Sequence, residues 1–240
     1  MRATSFFFNP EISRSWINNT FSAGLIFNSV KVKNAGDKFI GQVIPGVDSS
    51  VFNTKNFGGV NLSLALKTLD NLKYPTSGIN FYAASSYLAN LKNGKRNFVN
   101  LQSSFSFYVT PFKGFTIAHR TGAATNIGDY EFYQANTLGN SENLRGFWRT
   151  RFTGQSSFYQ NTDLRLKLAV LKGYVLRGNF GIYGFFDDGR VWIKNESSDK
   201  LHTGYGGGIF LIPYNTLAIN LSYAISDEVN LFTIRTGFLF

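Results

Sequence analysis

The feature that most constrains the fold is a two-residue alternation of apolar and polar side chains that recurs along the chain. In the segment 98–109, one set of alternate positions carries Val99, Leu101, Ser103, Phe105, Phe107 and Val109, and the other carries Asn100, Gln102, Ser104, Ser106 and Tyr108. Successive side chains of a β-strand point to opposite faces, so this period predicts a strand with one apolar face. Segments of this kind, bounded by Gly, Asn, Asp and Pro, predict an all-β chain of about 11 strands.

The predicted connections between these strands alternate between two sets. The first set is short and lies near 70–77, 111–113, 171–173 and 213–215; the second lies near 34–56, 93–97, 125–156, 189–202 and 226–229, and three of its five members are long. Outer-membrane barrels have short periplasmic turns and longer extracellular loops. If the last strand ends on the periplasmic side, this parity places the loop 125–156 on the extracellular side.

Composition favours a membrane barrel over a soluble sheet. The 240 residues contain no run of about 18 apolar residues, which a transmembrane helix requires. Aromatic residues make up 17% of the chain, with 25 Phe and 12 Tyr, as in the aromatic girdles of barrels. The polar faces carry mostly Asn, Ser, Thr, Gln and Tyr, as in a wet lumen, whereas a soluble β-sandwich would more often carry charges there. We therefore predict a transmembrane antiparallel β-barrel.

The segment Asn143–Gly154, NLRGFWRTRFTG, is the principal candidate site. It places Arg145 in an aromatic setting inside the longest stretch without alternation, and a buried arginine is costly unless it is paired. Asp187, in the run from Phe185 to Gly189, is a suitable partner because strand parity puts it on the polar face. We predict a close Arg145–Asp187 contact in the lumen, with Gly146 turning the chain and Phe147 packing on lumen aromatics such as Tyr183.

Two motifs in this order resemble a known family. The tetrad Leu144-Arg145-Gly146-Phe147 resembles the [VIL]-R-G-[FY] motif of the BamA/TamA/two-partner-transporter superfamily of outer-membrane β-barrels, and Phe185-x-Asp187-x-Gly189 resembles its F-x-D-x-G motif. The chain also ends in Phe, as these barrels usually do. The resemblance is strongest over 138–240. The wording RFTGQSSFYQNTDLRLKL most resembles Bacteroidota-type members, some of which carry the barrel behind a phosphoesterase domain.

The resemblance implies an architecture, a location and a class of function. Residues 1–240 would form the C-terminal portion of a sixteen-stranded outer-membrane barrel, with the loop 125–156 folded inward. Such barrels act in outer-membrane protein insertion or translocation, or anchor a fused periplasmic or surface domain. The implied partners are outer-membrane lipid, the barrel-assembly machinery and a client or cargo polypeptide. Phe238 and Phe240, which strand parity places on one face with Phe232, resemble the C-terminal signal that the assembly machinery reads.

Other function classes have less support. A passive porin remains the main alternative, and a soluble lectin-like or adhesin β-domain is a third. The net charge of +10 is spread along the chain, which indicates lumen and loop charges and no nucleic-acid partner. We expect no cofactor, metal site or catalytic residues, because the chain lacks Cys, its two His residues are far apart, and Asp187 and Asp188 point to opposite faces.

Several weaker expectations complete the sequence-based interpretation. Arg120, Asp163, Arg165 and Lys167 share the polar face and are interpreted as a solvated lumen wall. The glycine-rich segment 204–208 predicts a bend or a close approach of another backbone. The first residues contain no signal-peptide core, so we expect that an N-terminal part has been removed or that the chain is one piece of a longer protein.

Overall fold

The computed structural model describes residues 3–32, 52–92, 96–140, 142–173, 177–194, 200–214 and 216–240. Its strands are β1 (Ala3–Phe8), β2 (Glu11–Trp16), β3 (Asn19–Val32), β4 (Lys55–Lys67), β5 (Gly78–Asn90), β6 (Asn97–Phe112), β7 (Phe115–Gly128), β8 (Asn136–Leu138), β9 (Phe152–Gly154), β10 (Ser156–Lys172), β11 (Arg177–Trp192), β12 (His202–Pro213), β13 (Ile219–Ser226) and β14 (Asn230–Thr236). A 3-10 turn, Phe132–Gln134, precedes β8. Within these ranges, no helix has the length and apolar character needed to cross a membrane.

Twelve of these strands form one antiparallel sheet in the order β1-β3-β4-β5-β6-β7-β10-β11-β12-β13-β14, with β2 also paired to β3. β1 and β2 are two parts of one strand position, because Ala3 pairs with Val32 and Trp16 with Asn19 in a single continuous register. Pro10 interrupts the position because it has no N–H to donate to the ladder. The sheet thus has eleven strand positions, and the predicted all-β antiparallel fold of about 11 strands is confirmed.

The two faces of the sheet follow the alternation in the sequence. Large apolar side chains cover the outer face and are exposed, among them Val60, Leu62, Phe105, Phe107, Leu164, Ile182, Phe186 and Ile209. The inner face holds most of the buried polar side chains, including Ser106, Asn161, Asp163, Arg165, Asp187 and Asn220. This arrangement is inverted relative to a soluble sheet, and it suits a barrel with lipid outside and a polar lumen inside.

The sheet is curled, so that distant strands face each other across the lumen. Tyr74, in the connection between β4 and β5, packs against Phe210 of β12 with ring centroids 5.5 Å apart. Five strand positions separate β4 from β12 along the sheet. In the described part of the chain, no pairing joins β1 or β2 to β14, so the sheet is a partial barrel with two open edges.

The end of the chain differs from the prediction. β14 ends at Thr236, and Gly237 has a φ of 83° that turns the chain. Phe238 then packs inward, with its ring centroid 3.8 Å from the Arg165 guanidinium carbon, while Phe232 stays outside and is 62% exposed. The predicted placement of Phe238 and Phe240 on one face with Phe232 is therefore wrong. A glycine that accepts positive φ reverses the side, and inward-facing arginines attract the aromatic rings.

Two further differences concern loop boundaries. The predicted polar loop 189–202 begins later, because β11 continues to Trp192 and pairs with β10 over its whole length. The long loop between β7 and β10 contains a two-stranded sheet of its own, in which Asn136 pairs with Gly154 and Leu138 with Phe152. The predicted turn at Asn93-Gly94, the start of the predicted strand at 174–176, and most of the predicted loop 34–56 lie outside the described residues.

Candidate functional site

The loop between β7 and β10, residues 129–155, turns into the lumen and presents its tip there. The tip is shaped by Asn143, whose Oδ1 accepts a hydrogen bond from the Gly139 N–H at 3.0 Å and whose Nδ2 donates to the Thr137 carbonyl at 3.1 Å. The two short strands β8 and β9 hold the base of the tip together. Because backbone and side chain are both constrained, residues 143–147 form an ordered hairpin end whose groups have fixed directions.

Arg145 lies at the centre of the site and is only 5% exposed. Its Nε donates to Asp187 Oδ2 at 2.7 Å and its Nη2 to Asp187 Oδ1 at 2.6 Å, which is a bidentate pair. Its backbone N–H also donates to Asp187 Oδ2, at 2.9 Å. The structure therefore brings together the arginine and the carboxylate singled out in the sequence, and it orients the loop backbone as well as the side chain.

Asp163 on β10 joins this pair into a larger network. Its Oδ1 accepts from Arg145 Nη2 at 2.7 Å, and its Oδ2 accepts from Arg165 Nη2 at 2.9 Å and Arg165 Nε at 3.2 Å. Two arginines thus face two carboxylates, and the formal charges balance. Burial alone would lower the pKa of the Arg145 guanidinium, but the carboxylates of Asp163 and Asp187 raise it above its ordinary value, so Arg145 is charged.

The interpretation of Asp163 and Arg165 as a solvated lumen wall is wrong, because neither side chain has any exposed surface. Arg120 also contacts the loop: its Nη2 donates to the Glu142 carbonyl at 2.6 Å. Arg120 and Lys167 are both only half-buried. Among the described contacts, neither of them forms an ion pair. Strand parity gives the face of a side chain but not what covers it. Here the folded loop covers Asp163, and the C-terminal segment covers Arg165.

The Phe185-x-Asp187-x-Gly189 motif supplies three separate functions to the site. Phe185 lies beneath Arg145, with its ring centroid 3.8 Å from the guanidinium carbon, in a cation–π contact. Asp187 provides the carboxylate. Gly189 leaves room for the loop, because a Cβ at that position would stand 2.9 Å from Leu138 Cδ1. The alternate spacing is required since all three positions must share the inner face.

Gly204, on the next strand, belongs to the glycine-rich segment 204–208. A Cβ on Gly204 of β12 would overlap the Arg145 carbonyl oxygen. The predicted close backbone approach in the segment 204–208 is therefore confirmed at Gly204, where the approaching backbone is that of the loop tip. Across the tip, Ser226 Oγ donates to the Gly146 carbonyl at 2.6 Å. The tip thus contacts β10, β11, β12 and β13.

Leu144, Gly146 and Phe147 complete the tetrad. Gly146 has a φ of 90°, which a side chain would disfavour. Leu144 and Phe147 are fully buried in a cluster with Leu138. The ring of Phe147 meets Phe152 at 5.1 Å and His202 at 6.0 Å between centroids, whereas Tyr183 belongs to a different apolar cluster. The predicted packing of Phe147 on Tyr183 is wrong, because the turn at Gly146 directs the ring back toward the loop and β12.

Asn161 is a site residue that sequence reasoning missed. It is fully buried; its Nδ2 donates to the Asn143 carbonyl at 2.9 Å, and its Oδ1 accepts from Arg120 Nη2 at 2.8 Å. The signal that indicates it is its place in the polar, inward-facing series Asn161, Asp163, Arg165 on β10. The site thus contains two groups of contacts. One consists of the ion pairs around Arg145, and the other consists of the hydrogen bonds that Asn161 and Arg120 form with each other and with backbone carbonyls of the loop.

The chemistry of the site is that of a structural lock. Its carboxylates are saturated by arginine donors, so neither is available as a base or a nucleophile. Within the described residues, no group of three or more His, Asp or Glu side chains is arranged to hold a metal ion. What the arrangement does is hold a long loop against the inner wall through buried, directional, charge-assisted bonds.

A curled antiparallel sheet with an apolar outer face and a long loop locked to its inner face defines a transmembrane-type β-barrel domain. The Omp85 superfamily domain matches residues 1–240, and the chain belongs to this superfamily of bacterial outer-membrane barrels. The resemblance read from the two motifs is therefore confirmed, and membership implies a place in the bacterial outer membrane. The resemblance to Bacteroidota-type members stays a prediction.

The fold is similar to that of a solved relative. The crystal structure of BamA from Haemophilus ducreyi lacking POTRA domains 1-3 superimposes with a TM-score of 0.75 at 13% sequence identity. The match covers 98% of this chain and 54% of that one, so the present chain spans about half the length of the solved protein. At this identity the likeness establishes a shared fold and no more. No curated protein matches the sequence.

Proposed function

We propose that residues 1–240 form the C-terminal portion of an outer-membrane barrel that inserts or translocates polypeptides, or that anchors a fused periplasmic or surface domain. The observation that carries the proposal is the buried tetrad arginine, Arg145, bound by both Asp187 and Asp163. Its partners in this role are outer-membrane lipid, the barrel-assembly machinery and a client or cargo polypeptide. No catalytic role is assigned to this chain.

The lock supports this function over that of a passive porin. A porin works through an open, water-filled lumen, and a loop folded inside the barrel takes up part of that lumen. Here the loop lies along the inner wall and its tip fills the space in front of β10 to β13. A barrel that inserts or translocates polypeptides, or that serves as an anchor, does not need an open lumen. A loop that is fixed to the inner face of its sheet is compatible with such a function.

The open edges of the sheet support the C-terminal assignment. In lipid, unpaired backbone groups at a strand edge cost several kcal/mol each, so a membrane sheet has to close. The described sheet has eleven strand positions and two open edges. Further strands of the same polypeptide, such as the five needed for a sixteen-stranded barrel, would pair both edges. In the proposed domain, the loop 125–156 is the inward-folded element.

Replacing Arg145 tests the proposal. In the full-length protein, Arg145→Ala should lower the outer-membrane levels of barrel proteins or the surface display of a fused domain, whereas Arg149→Ala, an exposed position of the same loop, should leave them unchanged. Arg145→Lys should have an intermediate effect on these levels, because lysine keeps the positive charge but cannot form the bidentate pair with Asp187. Heat-modifiable electrophoretic mobility checks that each barrel has folded. Normal client levels in Arg145→Ala, together with a steady conductance that Arg145 and Asp187 do not affect, would favour the porin.

A further inference from the structure

The beginning of the loop carries a second buried ion cluster, separate from the one around Arg145. The Glu131 carboxylate is 2% exposed, although it lies only three residues beyond the end of β7. Its Oε1 accepts a hydrogen bond from Lys55 Nζ at 2.6 Å and lies 3.3 Å from Arg96 Nε. A buried carboxylate with two cationic neighbours is costly to assemble, so its geometry requires an explanation.

The backbone around Glu131 is built to hold this carboxylate in place. The Glu131 N–H donates to Gln134 Oε1 at 2.8 Å, and the Gln134 N–H donates to the Glu131 carbonyl at 2.8 Å, which closes the 3-10 turn on itself. Asn126 Nδ2 donates to the Gln134 carbonyl at 2.9 Å and ties the turn to β7. These hydrogen bonds fix the backbone of the turn and therefore the position from which the Glu131 side chain extends.

Apolar contacts fasten the same turn to the inner wall of β4, β5 and β6. Phe57, Leu88 and Phe98 form a buried cluster on these three strands, and Tyr130 and Tyr133 of the loop pack against it. The aromatic pair Phe98–Tyr130 has ring centroids 6.1 Å apart. Glu131 thus stands between two tyrosines that are already seated on the wall, next to Lys55 at the start of β4.

The two clusters hold the loop at two distant places on the wall. Lys55 belongs to β4 and Asp187 to β11, and four strand positions (β5, β6, β7 and β10) lie between them. At about 4.8 Å between neighbouring strands, this separation is about 24 Å along the wall. The Arg145 end alone does not determine where residues 129–135 lie, because a loop held at one point keeps its conformational freedom elsewhere.

We propose that Glu131, with Lys55 and Arg96, is a second positioning site that holds the root of the loop on β4 to β6 while Arg145 holds its tip on β10 to β13. The proposal deepens the function proposed above, because it assigns a further positioning residue to the element that carries it. Loss of the Glu131 charge releases the root of the loop and leaves the Arg145 tip bound.

Limited proteolysis of the folded barrel tests this, using the full-length protein in outer membranes and chymotrypsin as the probe. Cleavage after Tyr130 and Tyr133 reports opening of the root. Glu131→Gln and Lys55→Gln should each accelerate it about tenfold or more, because a buried charge then loses its partner. The double variant should be no faster than the quicker single variant, since both remove one interaction. Glu131→Asp, which keeps the charge, should restore part of the protection.

Glu228→Gln is the matched control, because it removes the exposed ion pair that the same loop forms through Arg151 at 2.6 Å. Exposed pairs contribute little, so cleavage at the root should change less than about twofold. Wild-type protection in the folded fractions of Glu131→Gln and Lys55→Gln, or an acceleration as large in Glu228→Gln, would overturn the second site. Wild-type client levels in Arg145→Ala, with fast cleavage in Glu131→Gln, would instead reject the proposed function and keep the second site.

Discussion

At the scale of single residues, Arg145 is held by contacts that differ in kind: a fork to Asp187, a single bond to Asp163, and the face of Phe185. The two carboxylates are not equivalent. Asp163 is also bound by Arg165, whereas the carboxylate of Asp187 has Arg145 as its only cationic neighbour within 4 Å among the described residues. Removing Arg145 therefore leaves Asp187 as the group without compensation.

The first prediction concerns the pair of Arg145 and Asp187. Arg145→Ala and Asp187→Ala should each lower the free energy of unfolding by on the order of 3–5 kcal/mol, reduced where water reaches the lumen. The double variant should be little worse than either single one, because the residues act as a unit. Denaturant titration of the refolded barrel in detergent measures the cycle. Simple additivity of the two single effects would contradict the lock.

The second prediction concerns Gly204. Gly204→Ala should displace the Arg145 carbonyl and lower stability by about 1–3 kcal/mol, as overpacking does. Gly184→Ala on the neighbouring strand is the control, since its Cβ would have no heavy atom nearer than the Gly206 carbonyl oxygen at 3.8 Å. Both variants receive the same denaturant titration, and proteolysis after Arg145 reports the tip. Equal stability of the two variants would show that the tip does not depend on this approach.

At the scale of elements, the segment after β14 acts as part of the lumen packing. Phe238 has ring centroids 5.5 Å from Tyr74, 5.7 Å from Tyr183 and 5.4 Å from Phe210. Phe240 lies 5.1 Å from the Arg120 guanidinium carbon and 6.3 Å from the Tyr108 ring. These contacts join the segment after β14 to five other parts of the barrel, so the segment contributes to the folded state directly.

The third prediction follows from this packing. Phe238→Ala should lower the free energy of unfolding by about 3–5 kcal/mol, because it leaves a cavity among rigid aromatic rings. Phe232→Ala, on the exposed outer face of β14, should cost much less. If the C-terminal segment serves only as a signal for the assembly machinery, deleting Phe240 should lower membrane levels without changing stability after refolding. A loss in both measurements would indicate that the segment has both roles.

At the scale of the whole molecule, the connections fall on two sides of the sheet. The loop 129–155 shares its side with the connection between β11 and β12, and the connection between β4 and β5 lies on the other side, because antiparallel strands alternate in direction. Leu201 lies in the connection between β11 and β12, Leu72 lies in the connection between β4 and β5, and both side chains are exposed. The chain contains no cysteine, so single cysteines can be introduced cleanly.

The fourth prediction uses these positions to test orientation. Leu201→Cys should react with a membrane-impermeant maleimide in intact cells, whereas Leu72→Cys should react only after the outer membrane is permeabilised, because short turns face the periplasm. The pair is its own control, since both side chains are exposed and apolar. Labelling in the opposite sense would reverse the orientation and remove Arg145 from a loop of extracellular origin.

The sequence by itself determined the strands, their faces and the pairing of Arg145 with Asp187. Alternation is local: each strand reveals its inward set without reference to its neighbours, which is why Asp187 was placed on the face that Arg145 reaches. Two glycine signals were visible as well: Gly146 predicted a turn, and the segment 204–208 predicted a bend or a close backbone approach.

Only the tertiary structure decided which inward residues are covered and what covers them. Asp163, Arg165 and Glu131 look like wall or loop charges in the sequence. The burial of Asp163 and Glu131 depends on where a loop of 27 residues, 129–155, lies on a curled sheet, and that of Arg165 depends on the C-terminal segment. Phe238 depended on a single backbone angle at Gly237. Each of these outcomes is a contact between segments far apart in the chain, and such contacts depend on the geometry of the whole barrel, which a local pattern does not contain.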